Sequence, residues 1–264
     1  MPDRDVAARA RAWRDSAHVQ ICDVLEPWEH GTVRRAGRYP GYYDFNAVRV
    51  DGDPAVSITE LIGFADQALG DLTHRRIDID DLAAAERYRP EFEALGWKTM
   101  RLLWMHHEAP PPPGPDVPVE LVDYDAVYDL RVTWHAEDFP WEDFAAHYPD
   151  AREVARRRHA RVLAVRGDDG RPVAYAQIER DAHNTEVTQV YVHPDHRGGG
   201  RGTAMTRAAI VASAGAEDLW IVADDDDRPK RLYARLGFRP AWTTTEFLLP
   251  PAAAHATEGA PSGS

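Results

Sequence analysis

The sequence predicts a mixed α/β (α+β) fold built in two unequal parts. Three observations predict it. Alternating β-like runs and 3.6-period helix-like runs succeed one another along the chain. A run of four prolines, Pro110 to Pro113, interrupts that succession. A helix, Leu-Gly-aromatic, strand signature stands on both sides of the interruption, as "PEFEALGWKTMRLLWM" and "KRLYARLGFRPAWTTTEFLL". The repeat is weak, because Gly is the usual helix cap before a strand in any α/β protein.

Before the prolines the pattern reads strand 18–25 ("HVQICDVL"), strand 43–50, helix 57–70, strand 74–80, helix 83–97 and strand 99–107. Proline forbids helix and stiffens a connector, so residues 109–117 are expected to link the parts. After them come strand 119–122, helix 126–134, helix 141–160 and a hairpin over 161–180 with Asp169-Gly170 in its turn. Strand 186–192, a glycine loop, helix 203–214, strand 218–224, helix 228–237 and strands within 238–249 complete the second part. Residues 251–264 have almost no aromatic or β-branched side chains and are expected to be a disordered tail. The expected units are therefore 1–108, 109–117, 118–250 and 251–264.

Forty-four acidic against 31 basic residues give a net charge of −13. That argues against nucleic acid or an anionic membrane as partner and favours a cationic or amine-bearing small molecule. Cys22 is the one cysteine, so no intrachain disulfide and no cysteine metal site are expected. With no apolar leader-like segment and no run near the ~18 apolar residues of a span, a cytoplasmic location is expected. Oligomeric state stays open, a homodimer included.

The stretch "VHPDHRGGGRGTAM", Val192 to Met205, joins a β-like run to a helix-like one. Unpaired N–H groups and the helix dipole make such a place receptive to phosphate. Gly198, Gly199, Gly200 and Gly202 let the backbone approach closely, and Arg197 and Arg201 add charged donors. A P-loop would need a lysine that "GRGT" lacks. A dinucleotide fingerprint would need a tight turn in place of "VHPDHR", although "IVADDDD" offers acids at a suitable distance.

The spacing Val192, Pro194, Arg197, Gly198, Gly200, Gly202 resembles the acyl-CoA signature of the GNAT superfamily of N-acetyltransferases. "LYARLGF", 36 residues beyond Arg197 when counted to Tyr233, resembles that family's second motif. The resemblance covers about residues 118–250 and reaches the first part only through its closing helix–strand–helix–strand run. It implies a mostly antiparallel, splayed sheet flanked by helices, preceded by a smaller degenerate GNAT-like half. It also implies acetyl-CoA as co-substrate, with no metal. Pantetheine would pair with the backbone of Val190, Tyr191 and Val192, and the pyrophosphate would sit on the N–H groups of Gly198 to Thr203.

Acyl transfer to an amine needs a base, an oxyanion donor and an acid for the leaving thiolate. By resemblance Tyr233 is the acid; a tyrosine packing an amphipathic helix is the plainer reading. Glu186, 11 residues before Arg197, stands where many members place a carboxylate base, and an exposed strand-end carboxylate is its plainer reading. The oxyanion would fall to a backbone N–H near Val190 or Tyr191. Members often place an asparagine near Asp226 on the cofactor, a contact the aspartate puts in question. The acceptor would be lined by "TWHAEDFPWEDF", with Trp134, His135, Glu137 and Asp138 offering aromatic walls and carboxylates. Asp224 to Asp227 reads better as a solvated helix cap than as a metal site, and the pairs His193/His196 and His106/His107 lack ligand spacing.

Where the first part should carry a glycine loop, it reads "RVDGDPAV", and Phe92 stands where Tyr233 stands in the second. That half is expected to bind no CoA and to serve as a scaffold or a wall of the acceptor pocket, with Tyr39, Tyr42, Tyr43 and Phe45 as candidate aromatic surface. The expected activity is acetyl transfer to a primary amine of a small molecule or peptide, directly within a ternary complex. A catalytically silent acyl-CoA sensor is the alternative from another class, and a dinucleotide-dependent enzyme a third reading.

Overall fold

The computed structural model describes residues 4–226 and 228–251; the expected tail lies, beyond residue 251, outside the described residues. The first part contributes α1 (Arg4–Ile21), β1 (Val24–Trp28), β2 (Gly31–Arg35), β3 (Ala47–Val50), α2 (Ile58–Ala68), β4 (Arg75–Ile79), α3 (Leu82–Ala94) and β5 (Lys98–His107). The second contributes β6 (Glu120–Val122), α4 (Tyr128–Asp138), α5 (Phe144–Arg157), β7 (Arg161–Arg166), β8 (Pro172–Arg180) and β9 (Asn184–Val192). It ends with α6 (Arg201–Ala212), β10 (Asp218–Asp224), α7 (Pro229–Arg235) and β11 (Phe238–Leu249).

The strand expected over 18–25 does not form, because α1 runs on through Ile21 and β1 begins only at Val24. Helix α1 buries Ala10, Trp13, Arg14 and His18 on one side, a mixed inner face that hides its period from a hydrophobic scan. The 43–50 strand is also shortened, since Tyr43–Phe45 makes a 3₁₀ turn before β3. The last strand is one 12-residue element whose register shifts between Pro240 and Trp242, where a proline is tolerated in a ladder.

The 11 strands of the described residues join one sheet in the order β1-β2-β3-β4-β11-β5-β10-β9-β8-β7-β6. Outward from the central β11–β5 pair the two sides follow the same pattern, with one strand more, β6, on the side of β5. Each has a parallel contact one strand in, β3 with β4 and β9 with β10, whereas the other pairings are antiparallel. The last strands are exchanged: β5 lies against β10, and β11 lies against β4. The two halves of the chain thereby share one continuous backbone ladder.

Helices cover both faces. On one side α6 and α7 pack on Leu163, Val187, Ile221 and Phe238, and α2 and α3 pack on Val48, Ile77, Ile79 and Phe247. On the other side α1 lays Ala10 and Trp13 on Trp104, Trp220 and Trp242, while Leu130 of α4 packs on Val162, Ala164, Tyr175 and Tyr191. This second face also buries charge. Arg14, Arg34 and Arg76 meet Asp78 beneath α1, a cluster that only ion pairing makes tolerable in the interior.

Candidate active site

Strands β9 and β10 run parallel and paired from Asn184/Asp218 to Val187/Ile221, and then the pairing stops. Both continue on their outer sides, β9 along β8 to Val192 and β10 along β5 to Asp224. The cause lies in β9 itself. Its register against β8 slips between Val187 and Gln189, so Thr188 is an extra residue, a bulge that bends the strand and raises its twist. Past the bulge, Val190 and Val192 pack toward α6 and Tyr191 packs toward α4. The inner edge of Thr188 to Val192 thus faces a gap rather than a partner strand.

The open end of that gap meets the start of α6. Its N-cap is Gly200 at φ 76°, with no side-chain cap on the first turn. Gly198 also takes a positive φ, 87°. Gly202 lies where an added Cβ would be 3.9 Å from Val192 and 3.8 Å from Leu232 of α7, so the helix begins between β9 and α7. Thr203 falls within this first turn. An uncapped helix start with backbone donors and a positive dipole end is chemically suited to a pyrophosphate. Arg201 donates to the His196 carbonyl at 3.3 Å, and its guanidinium passes close to Gly199.

The matching position in the first half is closed. Ser57 and Glu60 form a reciprocal capping box at the start of α2, and Asp53 is tied to Arg87 at 2.6 Å. Donors that α6 leaves for an anion are used internally there. Phe92 is fully buried and stacks on Phe247 at 4.2 Å.

Glu186 lies on β9 two residues before the bulge, on the α1 face. Directly opposite it on β8 stands Glu179. Trp13 of α1 donates its Nε1–H to Glu186 Oε2 at 2.6 Å. Burial and the neighbouring Glu179 push the Glu186 carboxyl up to about 7, against the pull of the Trp13 donor and Arg158. Glu179 is likewise raised by burial, although it accepts from Arg158 at 3.0 Å and from Gln177 at 3.1 Å. A carboxyl poised near neutrality is what a general base for an amine requires.

Tyr233, on α7, is 7% exposed and lies in the apolar cluster shared by α6, α7 and β10, its ring edge-on to Phe238 at 6.2 Å. Asp226 is tied to Arg101 at 3.0 Å, at the junction of β10 with the first half. Arg197 donates to the Val192 carbonyl at 3.0 Å and to Glu137 at 2.9 Å, on the α4 side of the loop. Glu137 also accepts from the Tyr191 hydroxyl at 2.9 Å. His135 is buried, with Nε2 2.9 Å from Glu142 and its ring packed on Phe139 and Phe144. Trp134 packs on the α4 cluster, and the Asp138 carboxyl is pushed up by desolvation, against the pull of a hydrogen bond with Trp134. Tyr39, Tyr43 and Phe45 are buried, with Trp141 donating to the Tyr43 hydroxyl at 3.1 Å. Among the described residues, no group of three or more His, Cys, Asp or Glu side chains is placed to hold a metal ion. No helix of the described residues is long and apolar enough to cross a membrane.

Sequence reasoning missed Trp13, Glu179, Arg158 and Arg131. Arg131 donates to Gln189 at 2.7 Å and to Gln177 at 2.8 Å, making a polar floor beside Glu186. One signal was present: "PVAYAQIER" places Gln177 and Glu179 on one face of a strand that is apolar from Pro172 to Ala176.

Residues 124–238 match the sequence profile of the Acetyltransferase (GNAT) family. Over that stretch, somewhat less than half of the chain, the sequence is similar to GNAT acetyltransferases. A mycothiol acetyltransferase of Nocardiopsis dassonvillei is 53% identical over 56 residues, 21% of this chain and 17% of that protein. Another, from Actinosynnema mirum, is 41% identical over 81 residues, 29% of this chain and 27% of that one. The chain therefore matches less than a third of the length of these curated relatives. A GCN5-related N-acetyltransferase from Kribbella flavida, at 18% identity, superposes over 94% of this chain and 96% of its own with a TM-score of 0.54. That likeness extends the GNAT fold over both halves, as the matching strand pattern does.

Proposed function

We propose that the protein is an acetyl-CoA-dependent N-acetyltransferase acting on a primary amine of a small molecule or peptide by direct transfer in a ternary complex. One observation carries the reading: the β9/β10 gap has the uncapped start of α6 at its open end and the half-buried, perturbed Glu186 at its closed end. In this reading residues 118–250 carry out transfer, 109–117 connect, and 1–108 scaffold the site. The first turn of α6 holds the pyrophosphate of acetyl-CoA, and the inner edge of Val190 to Val192 takes pantetheine.

Glu186 accepts the proton of the acceptor's ammonium, directly or through a water, leaving a neutral amine to attack the thioester carbonyl. A backbone N–H near Val190 or Tyr191 stabilises the oxyanion. Tyr233 donates its phenolic proton to the departing thiolate, the strong base its high ordinary pKa suits. The negative charge of −13 favours approach of a cationic acceptor.

The test is acetyl-CoA consumption against aminoglycosides, polyamines, amino acids, peptide N-termini and the compound for which the mycothiol acetyltransferases are named. Turnover with at least one acceptor and intersecting double-reciprocal lines are expected. Acetyl-CoA binding without turnover on any acceptor would favour the silent sensor. Tyr233→Phe is expected to lower kcat about 100-fold with little change in KM.

A further inference from the structure

One side chain of the N-terminal helix reaches the carboxylate on which the proposed chemistry depends. Trp13 is 2% exposed, and its Nε1 lies 2.6 Å from Glu186 Oε2. Its helix is pinned on either side of it. Arg9 donates to Asp218 at the start of β10 at 3.0 Å, and Arg14 donates to the buried Asp78 at 2.6 Å. The Arg158 guanidinium lies over the Trp13 ring at 4.6 Å and reaches Gln20 of α1 at 2.9 Å. The indole therefore has little freedom to leave the carboxylate.

Most of the elements packed around Glu186 supply a group that acts on its charge. From β8, Glu179 opposes it directly, and from the loop before β3, Asp44 adds a second negative charge. From the end of α5, Arg158 brings a positive charge, but one already committed to Glu179. From β10 the register neighbour is the uncharged Trp220. That leaves the Trp13 N–H as the direct donor from α1. A largely desolvated carboxylate next to another, with no donor of its own, would hold its proton too firmly to accept one from an amine.

We propose that Trp13 is a positioning residue for Glu186: its N–H fixes one carboxylate oxygen and favours the ionised form, so the N-terminal helix completes the proton-accepting site of the other half. The proposal rests on Glu186 being the base. Oε2 is held by the indole, and Oε1 is the oxygen that receives the proton.

The test compares the pH dependence of kcat/KM for the amine in the full chain and in Trp13→Phe, which keeps an aromatic ring and loses the N–H. Removing a donor to a charged group moves the acid limb up by about one unit, so the rate below the limb falls about tenfold. The plateau above the limb and KM for acetyl-CoA are expected to stay within about twofold of wild type. A loss of equal size at every pH, with the limb unmoved, overturns the proposal, because a packing defect behaves that way. Should the variant not fold, the indole ¹H–¹⁵N signal of Trp13 in the wild-type protein decides. It is expected to titrate with the midpoint of the kinetic limb, and a signal that does not titrate overturns the proposal. Glu186→Gln separates the two failures. If it keeps the wild-type limb, the base assignment falls and the proposal with it. If it abolishes the limb while Trp13→Phe leaves the limb unmoved, only the role of Trp13 falls.

Discussion

Arg197 of the glycine loop donates to Glu137 at the end of α4 at 2.9 Å, joining two segments that the sequence assigns to different ligands. Burial pushes the Glu137 carboxyl up, but the Arg197 and Tyr191 donors outweigh it and hold the carboxyl below its ordinary value. The contact braces the loop against the helix that flanks the expected acceptor side.

Both side chains keep substantial exposure, 52% for Arg197 and 38% for Glu137, so solvent screens the pair. A double-mutant cycle with Glu137→Gln and Arg197→Met, followed by chemical denaturation, is expected to give a coupling below about 1 kcal/mol. Either single variant is expected to raise KM for acetyl-CoA several-fold by loosening the loop. A coupling of several kcal/mol with KM unchanged would make the pair a fold clamp instead.

Gly200 and Gly202 are two residues apart and make different demands. A non-glycine residue at the φ of 76° held by Gly200 incurs about 1–2 kcal/mol of backbone strain. Gly202 sits at ordinary helical φ, and an added Cβ would meet Leu232 and Val192 no closer than 3.8 Å. Gly200→Ala is expected to lower the unfolding free energy by about 1 kcal/mol and to weaken acetyl-CoA binding by calorimetry. Gly202→Ala should leave stability within about 0.5 kcal/mol. The reverse ranking would mean that the loop adopts a different backbone in solution.

These residues also mark what was legible in the sequence. Strand β9, the glycine loop, α6, β10 and α7 follow from alternation, helical period and glycine punctuation, all local signals. The bulge at Thr188 carried no such signal, since it exists only in register with β8. Helix α1 was hidden because its inner face mixes Ala10 and Trp13 with Arg14 and His18, which a polar cluster on the sheet rewards. Strand β1 was hidden because its first four residues are exposed and show no in–out alternation. Glu186, the proposed base, was singled out by its distance from the loop, while the groups that set its proton affinity come from α1, α5 and β8 and meet only in the fold.

The polar cluster beneath α1 should govern how firmly that helix is held. Asp78 is fully buried, pairs with Arg14 at 2.6 Å and Arg76 at 2.8 Å, and lies 3.9 Å from Arg34. Removing its charge leaves three buried guanidinium groups short of an acceptor, so Asp78→Ala is expected to cost about 3–5 kcal/mol. Asp66→Ala, at the solvent-facing pair with Arg75, should cost at most about 1 kcal/mol, which controls for loss of an ion pair as such. Burial alone would raise the Asp78 carboxyl, but the three arginines outweigh it and hold it well below its ordinary 3.8. A carboxyl depressed in the folded state stabilises fully above its ordinary value and loses that contribution as pH falls through the folded one. Denaturation followed from pH 6 downward should therefore show wild-type stability falling below about pH 4, with a shallower slope there for Asp78→Ala. Equal slopes in the two proteins would place the acid-sensitive charge elsewhere in the cluster.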